Sequence, residues 1–233
     1  MPTVSSRQQG DERTTLAQAR QAYLDGEFER CLALCDAVNT RDPAARRELA
    51  VLRARIHVRL DRGDRALEAL RALQVDTLPV DEDAVAQMLT GAAYVRLGQK
   101  ERGAALLEEA LHKALDAHAT VRAEAMLQLG IAKFRLGTYD AADALCANVG
   151  PEQDIVYAHS LEYRGWVAQA RGEFTLAARR FREALSVLAS CRRRDRYVEA
   201  KSLYGLTALC PELLLTQDWS ALDVETTRIV DRD

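Results

Sequence analysis

The chain has 233 residues, of which 48% are hydrophobic and 29% are charged. This composition is that of a folded globular protein and excludes an intrinsically disordered one. The formal net charge of -3 provides no overall attraction to nucleic acid or anionic lipid, so we expect neither as a partner. No stretch of about 18 apolar residues is present, and residues 1–13 lack the apolar core of a secretion signal, so we expect a cytoplasmic protein.

The beginning of the chain is polar and has no hydrophobic period. Residues 1–13 include Ser5, Ser6, Gln8, Gln9, Gly10 and Asp11. We therefore predict a flexible N-terminal tail over residues 1–13, with order beginning near Thr14. From there to residue 210 the pattern is helix, tight turn and helix, repeated.

Five glycines lie at nearly even intervals and mark the predicted turns. They are Gly26, Gly63, Gly98, Gly137 and Gly172, and the gaps between them are 37, 35, 39 and 35 residues. Glycine reaches the left-handed backbone region that ends a helix at almost no cost, whereas other residues are strained there. A spacing near 35 residues is that of a repeated helical hairpin, so the sequence predicts stacked helix pairs.

Residues at fixed distances from these glycines match a known repeat. Small residues lie seven positions before the turn, aromatic residues two after it, and alanine or another small residue five after it. In that order they are Gly91, Gly130 and Gly165; Phe28, Tyr139 and Phe174; and Ala142, Ala177, Cys31 and Gly103. In these positions the chain resembles the tetratricopeptide repeat (TPR) family. The resemblance implies an all-α fold, a right-handed α-solenoid of about five to six TPR-like hairpins over residues 14–210.

Two parts of the array depart from this pattern. Arg65 replaces the aromatic residue after Gly63, and the helix from Ala66 to Leu73 is predicted to be short. After Cys191 the pattern recurs once, with Gly205 in the small-residue position, but no turn glycine follows. We predict that Pro211 begins a C-terminal capping segment over residues 211–233, with a last helix over residues 217–230.

The resemblance also implies a concave groove whose wall is built by the first helix of each hairpin. The wall positions fall ten, six and three residues before the turn glycine. We select from them, and from the arginines that directly follow them, a candidate groove for a peptide or protein segment: Arg20, Tyr23, Arg53, His57, Arg96, Arg135, Glu162, Trp166 and Gln169. Arginine and aromatic side chains suit a partner with carboxylate groups. The alternative is that the arginines are paired with neighbouring acids and bind nothing.

Several narrower hypotheses concern single positions. Trp166 is an anchor on the wall or a core residue between repeats, and the sequence leaves both open. His159 and Glu162 share a helix face but have no third ligand at helical spacing, so we expect no metal and no cofactor. The residues that bind carboxylates in chaperone-binding members fall here on Leu16, Arg20, Ala54, Val85 and Leu89, which argues against chaperone tails.

The cysteines and one basic run lead to two further predictions. Cys31 and Cys35 are one turn apart at core positions, and the odd number of cysteines, five, indicates reduced thiols and no disulfide framework. The one dense basic run is Arg192, Arg193, Arg194 and Arg196. Without aromatic support or a recognition helix it argues only weakly for nucleic acid.

No catalytic motif is present: we find neither a phosphate-binding glycine loop nor a nucleophile elbow. The resemblance implies a non-catalytic scaffold or adaptor that binds a peptide or protein segment in its groove. An alternative is the ligand- or peptide-sensing regulatory portion of a bacterial transcription regulator. Self-assembly into a homo-oligomer through the end of the stack also stays open.

Overall fold

The computed structural model describes residues 4–73, 78–191 and 195–215, and within them every regular element is helical. The α-helices are α1 (Val4–Leu24), α2 (Phe28–Ala37), α3 (Pro43–Arg59), α4 (Gly63–Leu70), α5 (Val80–Arg96), α6 (Lys100–Lys113), α7 (Ala119–Arg135), α8 (Tyr139–Ala147), α9 (Asp154–Ala170), α10 (Phe174–Ser190) and α11 (Arg196–Leu215). Short 3₁₀ turns follow α4 and precede α9. The predicted all-α class is confirmed.

Consecutive helices pair as hairpins: α1 with α2, α3 with α4, α5 with α6, α7 with α8, and α9 with α10. The contacts divide the chain into two compact units, residues 1–125 and 126–233. The boundary falls inside α7. Unit 1 therefore contains the first three hairpins and the beginning of α7, and unit 2 contains the rest of α7 and the helices from α8 to α11.

Four of the five predicted glycine turns have the expected backbone. Gly26, Gly98, Gly137 and Gly172 have φ angles of 75°, 80°, 77° and 78°. At Gly98 the glycine N–H donates to Val95 O at 3.2 Å, and the next N–H donates to Tyr94 O at 3.0 Å. These bonds satisfy carbonyls that the end of α5 would leave without partners.

The prediction for the second turn is wrong by two residues. The left-handed position is Asp61, with φ of 55°, and not Gly63. Asp61 N–H donates to Val58 O at 3.3 Å and Arg62 N–H to His57 O at 2.8 Å, the same pattern as at Gly98. Aspartate tolerates this region better than most residues. Ala54 and Ala66 then fall seven before and five after the turn, and neither has any exposed surface.

Gly63 has a different role, which is close approach of two helices. A Cβ there would lie 2.5 Å from Ala93 O and 2.8 Å from Leu97 Cγ. The beginning of α4 therefore packs directly on the end of α5. The short second helix of this hairpin agrees with the prediction, since α4 has 8 residues and is followed by the 3₁₀ turn Arg71–Leu73.

Small residues also hold the hairpins together. A Cβ on Gly91 of α5 would lie 2.9 Å from Gly103 O of α6. In unit 2 the ring of Phe181 lies between two glycines, because a Cβ on Gly165 would be 2.6 Å from it and one on Gly205 would be 2.5 Å from it. Phe181 has no exposed surface and joins α9, α10 and α11 in one core.

The two ends of the array differ from the sequence-based boundaries. Helix α1 begins at Val4, so the boundary predicted at Thr14 is not the beginning of a helix. Adding residues to an existing helix needs no new nucleus, and Gly10 is the residue of lowest helix propensity between Val4 and Thr14. At the other end, α11 continues through Pro211 to Leu215. The predicted last helix over residues 217–230 lies outside the described residues, and the capping segment stays a prediction.

The described cysteines have free thiols. Cys31, Cys35 and Cys146 are buried, and Cys191 is half-buried. The Cys31 thiol donates to Ala19 O at 3.0 Å, which links α2 to α1. Burial raises the pKa of the Cys146 thiol to about 12. The buried thiols therefore act as small core residues.

Candidate interaction surfaces on the first helices

The position of the second turn changes which residues of α3 lie at wall positions. Counting ten, six and three residues back from Asp61 selects Val51, Arg55 and Val58 in place of Arg53, His57 and Leu60. The wall positions of the other hairpins do not change, because their turn glycines are where the sequence placed them.

The contacts of Arg53 and His57 agree with this shift. The Arg53 guanidinium donates to Cys35 O at 2.7 Å and to Asp36 Oδ1 at 2.9 Å, so it reaches α2. His57 Nδ1 is buried and has no hydrogen-bond partner. Burial, with the positive charges of Arg62 and Arg65, lowers the pKa of His57. Arg53 is thus directed at a second helix, and the buried ring nitrogen of His57 is not open to a partner.

Arg55, which the sequence analysis missed, lies at the centre of a polar cluster in unit 1. Its two terminal nitrogens donate to the two carboxylate oxygens of Glu124, at 3.1 and 2.6 Å. Tyr23 also hydrogen-bonds to Arg55. Burial lowers the pKa of Arg55, but Glu124 and Tyr23 together raise it above its ordinary value. The pair is a bidentate one, the strongest arrangement for these groups.

Two further arginines lie one helical turn from Arg55 and Tyr23: Arg59 follows Arg55 on α3, and Arg20 precedes Tyr23 on α1. The Arg59 guanidinium lies 4.6 Å from the centre of the Tyr23 ring. Arg20 pairs with both carboxylate oxygens of Glu48. We call the set of Arg20, Tyr23, Arg55, Arg59 and Glu124 the arginine face of unit 1. Two predicted groove residues, Arg20 and Tyr23, belong to it.

Arg96 contacts the end of α3 and the turn that follows it. Its Nε donates to Val58 O at 3.0 Å and lies 3.0 Å from Asp61 Oδ1, and only 8% of its side chain is exposed. It therefore satisfies the carboxyl end of α3 and holds the turn at Asp61 in place. These bonds explain how an aspartate is kept at the left-handed position.

The apolar wall positions are not open surface. In unit 1, Met88, Ala92 and Val95 are 1%, 2% and 1% exposed. In unit 2, Leu127 and Ile131 are 3% and 2% exposed and belong to a core cluster. Among the polar and aromatic wall residues, Arg20 is exposed and Tyr23, Arg55, Trp166 and Gln169 are half-buried.

Unit 2 contains a buried carboxylate at a wall position. Glu162 has no exposed surface, and its Oε1 accepts from the Trp166 indole N–H at 2.7 Å. The Lys201 ammonium, from α11, lies 2.9 Å from the same oxygen. His159 Nε2 is 3.3 Å from Oε2. Burying a charge is costly unless it is paired and hydrogen-bonded, and here it is both.

Lys201 is enclosed by aromatic rings. Its Nζ is 4.6 Å from the centre of the Tyr163 ring and 5.6 Å from that of Tyr197. Burial lowers the pKa of Lys201, but Glu162 and the two tyrosines raise it above its ordinary value. The helix that carries Lys201 begins at a fixed place, because Asp195 Oδ1 accepts from Tyr197 N–H at 3.1 Å.

Trp166 packs against the core and keeps part of its surface exposed, and its function as an anchor stays a prediction. Its ring lies 5.0 Å from the Phe181 ring, edge to face, and 6.1 Å from the Tyr204 ring. Trp166 is half-buried, whereas Tyr204 is 67% exposed. We call Trp166 and Tyr204 the aromatic patch of unit 2.

The remaining predicted residues are in unit 2. Gln169 is half-buried, and its Oε1 is buried without a hydrogen-bond donor. Arg135 is half-buried at the end of α7. Among the described residues no group of three His, Cys, Asp or Glu side chains could hold a metal ion. The basic run falls mostly on residues 192–194, outside the described residues.

Within each unit the predicted groove residues have different contacts, and the groove itself stays a prediction. Arg20 and Tyr23 lie on the arginine face, and Glu162 hydrogen-bonds to Trp166 of the aromatic patch. Arg53 and Arg96 contact α2 and the turn at Asp61, and His57 Nδ1 is buried without a partner. Sequence reasoning missed Arg55, Glu124, Lys201 and Tyr204. The spacing of Ala54 and Ala66 around Asp61 was a signal that could have found Arg55. Nothing in the sequence indicated that Glu124 or Lys201 would be the partner of a residue so distant in the chain.

Comparison with solved structures finds similar folds. TTC0263, a thermophilic TPR protein of Thermus thermophilus, is 25% identical and covers 84% of this chain and 99% of its own, with a TM-score of 0.56. A Rap protein complexed with Competence and Sporulation Factor is 12% identical and covers 88% of this chain and 64% of its own, with a TM-score of 0.67. PilW, a type IV pilus biogenesis factor, is 18% identical. The match covers 94% of this chain and 98% of PilW, with a TM-score of 0.54.

These likenesses and the hairpin geometry define an all-α solenoid, as predicted. The chain is a divergent TPR-like repeat protein. No family model matches it, and no curated protein matches it. Among the described residues no helix has the length and apolar character needed to cross a membrane.

Proposed function

We propose that this protein is a non-catalytic scaffold or adaptor that binds a peptide or protein segment with side chains of its first helices. The observation that carries the proposal is the likeness, at a TM-score of 0.67, to a Rap protein complexed with Competence and Sporulation Factor. The proposal places the protein in the cytoplasm. Its contact surfaces are the arginine face of unit 1 and the aromatic patch of unit 2.

The mechanism is presentation of side chains that are already fixed. The Trp166 indole is held by Glu162 at 2.7 Å and by the Phe181 ring at 5.0 Å, so binding orders it little further. Little conformational entropy is then lost on association, and exposed aromatic surface can be buried at Tyr204.

Affinity capture with mass spectrometry tests the proposal. Wild-type protein is compared with Tyr204→Ala and with Leu115→Ala, a matched control that removes an apolar side chain 55% exposed in unit 1. We expect a partner that wild type and Leu115→Ala retain and that Tyr204→Ala loses about tenfold. A set of captured proteins that is identical for all three variants would contradict the assignment of the patch.

A second candidate is the ligand- or peptide-sensing regulatory portion of a bacterial transcription regulator, and its support is the likeness to a Rap protein that is complexed with a factor. In that case a bound signal shifts the population of two arrangements of the array. Small-angle scattering with and without the captured partner separates the two functions. With the partner contrast-matched in neutron scattering, a scaffold keeps the radius of gyration of its own chain, whereas a sensor changes it.

Assembly of two copies is tested separately by sedimentation equilibrium. A mass that rises with concentration supports a homo-oligomer, and a constant mass of about one chain contradicts it.

A further inference from the structure

The ion pair between Arg55 and Glu124 links helices that are far apart in the chain. Arg55 is on α3 and Glu124 is on α7, 69 residues later, and the whole hairpin of α5 and α6 lies between them in chain order. Two other ion pairs of unit 1, Arg20 with Glu48 and Arg47 with Glu82, join consecutive first helices. The pair thus connects non-consecutive first helices.

The chemistry around Arg55 is that of a carboxylate site. Its guanidinium presents two parallel donors, and both are taken by the two oxygens of one carboxylate, at 3.1 and 2.6 Å. Tyr23 adds a hydrogen bond to Arg55. Arg59, over the Tyr23 ring at 4.6 Å, adds a second guanidinium on the same face. These groups would bind any carboxylate that can approach the Arg55 guanidinium. In the free protein that carboxylate is Glu124.

The pair is neither fully exposed nor fully buried. The side chains of Arg55 and Glu124 are 27% and 20% exposed. Solvent therefore reaches the site, so an incoming carboxylate can exchange with Glu124. Because one carboxylate replaces another, Arg55 never has to be left buried without a partner, which would be the costly state.

We propose that Glu124 is an internal occupant of a carboxylate-binding site centred on Arg55, and that an acidic segment of a binding partner displaces it. This inference rests on the proposed function, since it names the chemistry of the segment that the first helices bind. Glu124 is then an autoinhibitory contact that lowers the affinity of the free protein for acidic segments.

The size of the expected gain in affinity follows from the fact that Glu124 belongs to the same chain as Arg55. A side chain held in the same molecule competes at an effective concentration in the millimolar range or higher. Removing its charge should therefore raise the affinity for an external carboxylate by about tenfold or more. The gain should weaken as salt is added, because the site is partly exposed.

The test uses Glu124→Gln, which removes the charge and keeps the size of the side chain. The probe is a fluorescein-labelled hexaglutamate peptide, with hexaglutamine as the neutral probe, and binding is read by fluorescence anisotropy. The matched control is Glu82→Gln, which removes the carboxylate partner of Arg47, a side chain 24% exposed on the same helix as Arg55.

We expect Glu124→Gln to bind hexaglutamate at least about tenfold more tightly than wild type. Glu82→Gln should bind like wild type, and Arg55→Met with Glu124→Gln should lose the gain. Circular dichroism checks that each variant is folded. If Glu124→Gln does not fold, Glu124→Asp replaces it, because its shorter side chain keeps the charge and holds Arg55 less well; a smaller gain is then expected.

The inference is overturned if the variant at residue 124 that folds binds the probe within about twofold of wild type, or if the gain survives Arg55→Met. Those results leave the proposed function standing, because its test depends on Tyr204 and on a captured partner. The opposite outcome is also informative. If Glu124→Gln gains affinity for hexaglutamate but no captured partner depends on Tyr204, the carboxylate site is supported and the surface proposed for unit 2 is contradicted.

Discussion

Changing Lys201 to Met should destabilise unit 2 more than any exposed substitution. The change leaves the Glu162 carboxylate, which has no exposed surface, without its ammonium partner at 2.9 Å. Breaking a buried ion pair in this way costs about 3–5 kcal/mol. Since Lys201 is itself 28% exposed, we discount the loss to about 2–4 kcal/mol.

A double-mutant cycle isolates the pair. Glu162→Gln keeps an acceptor for the Trp166 indole and removes the charge, so the double variant no longer buries a lone carboxylate. We expect it to recover about 2 kcal/mol relative to the sum of the single changes. Urea unfolding is followed by tryptophan fluorescence in a Trp219→Phe background, where Trp166 is the only tryptophan.

The pH dependence provides an independent check with a defined sign. The pKa of Lys201 is raised in the folded state, so its contribution to stability is fully present below the unfolded pKa of about 10.4 and declines as the pH rises from there through the folded pKa. The difference between wild type and Lys201→Met should therefore be constant from about pH 7 to 9 and shrink above about 10.4. The reasoning is refuted if Lys201→Met lowers the free energy of unfolding by less than about 1 kcal/mol at pH 7, or if the coupling energy between Lys201 and Glu162 is near zero.

The remaining predictions concern turns, packing and surface. Gly137→Val should cost about 1–3 kcal/mol because φ is 77° there, although a Cβ meets nothing within 4 Å; an unchanged melting temperature would contradict the strain. Gly165→Ala should cost about 1–3 kcal/mol, and adding Phe181→Leu should recover part of it in urea titrations, because the new Cβ meets that ring at 2.6 Å. Arg20→Ala should change the free energy of unfolding by less than about 1 kcal/mol, because its pair with α3 is exposed, and a larger loss would show that the pair is structural. Tyr204→Ala should leave the melting temperature unchanged, because that ring is 67% exposed, and a clear drop would place it in the core.

The spacing of small and turn residues was enough to predict the hairpins. Glycine at a left-handed turn and a small residue between paired helices are local requirements, so they are visible in the sequence. The same logic failed at the second turn because aspartate can also take the left-handed conformation. The nearest glycine, Gly63, fits the repeat spacing for a different reason, which is the close contact of α4 with α5.

What the sequence by itself determined is the succession of helices, the repeat period and most of the core, since these follow from backbone propensity and short-range spacing. Only the tertiary structure decided which side chains meet. Arg55 finds Glu124 on α7, Arg96 binds the turn at Asp61, and Lys201 of α11 neutralises Glu162. Such pairs join residues tens of positions apart, and their partners are selected by the packing of whole helices. No local pattern encodes them, which is why the contacts of Arg53 and Arg96 could not be predicted from the sequence.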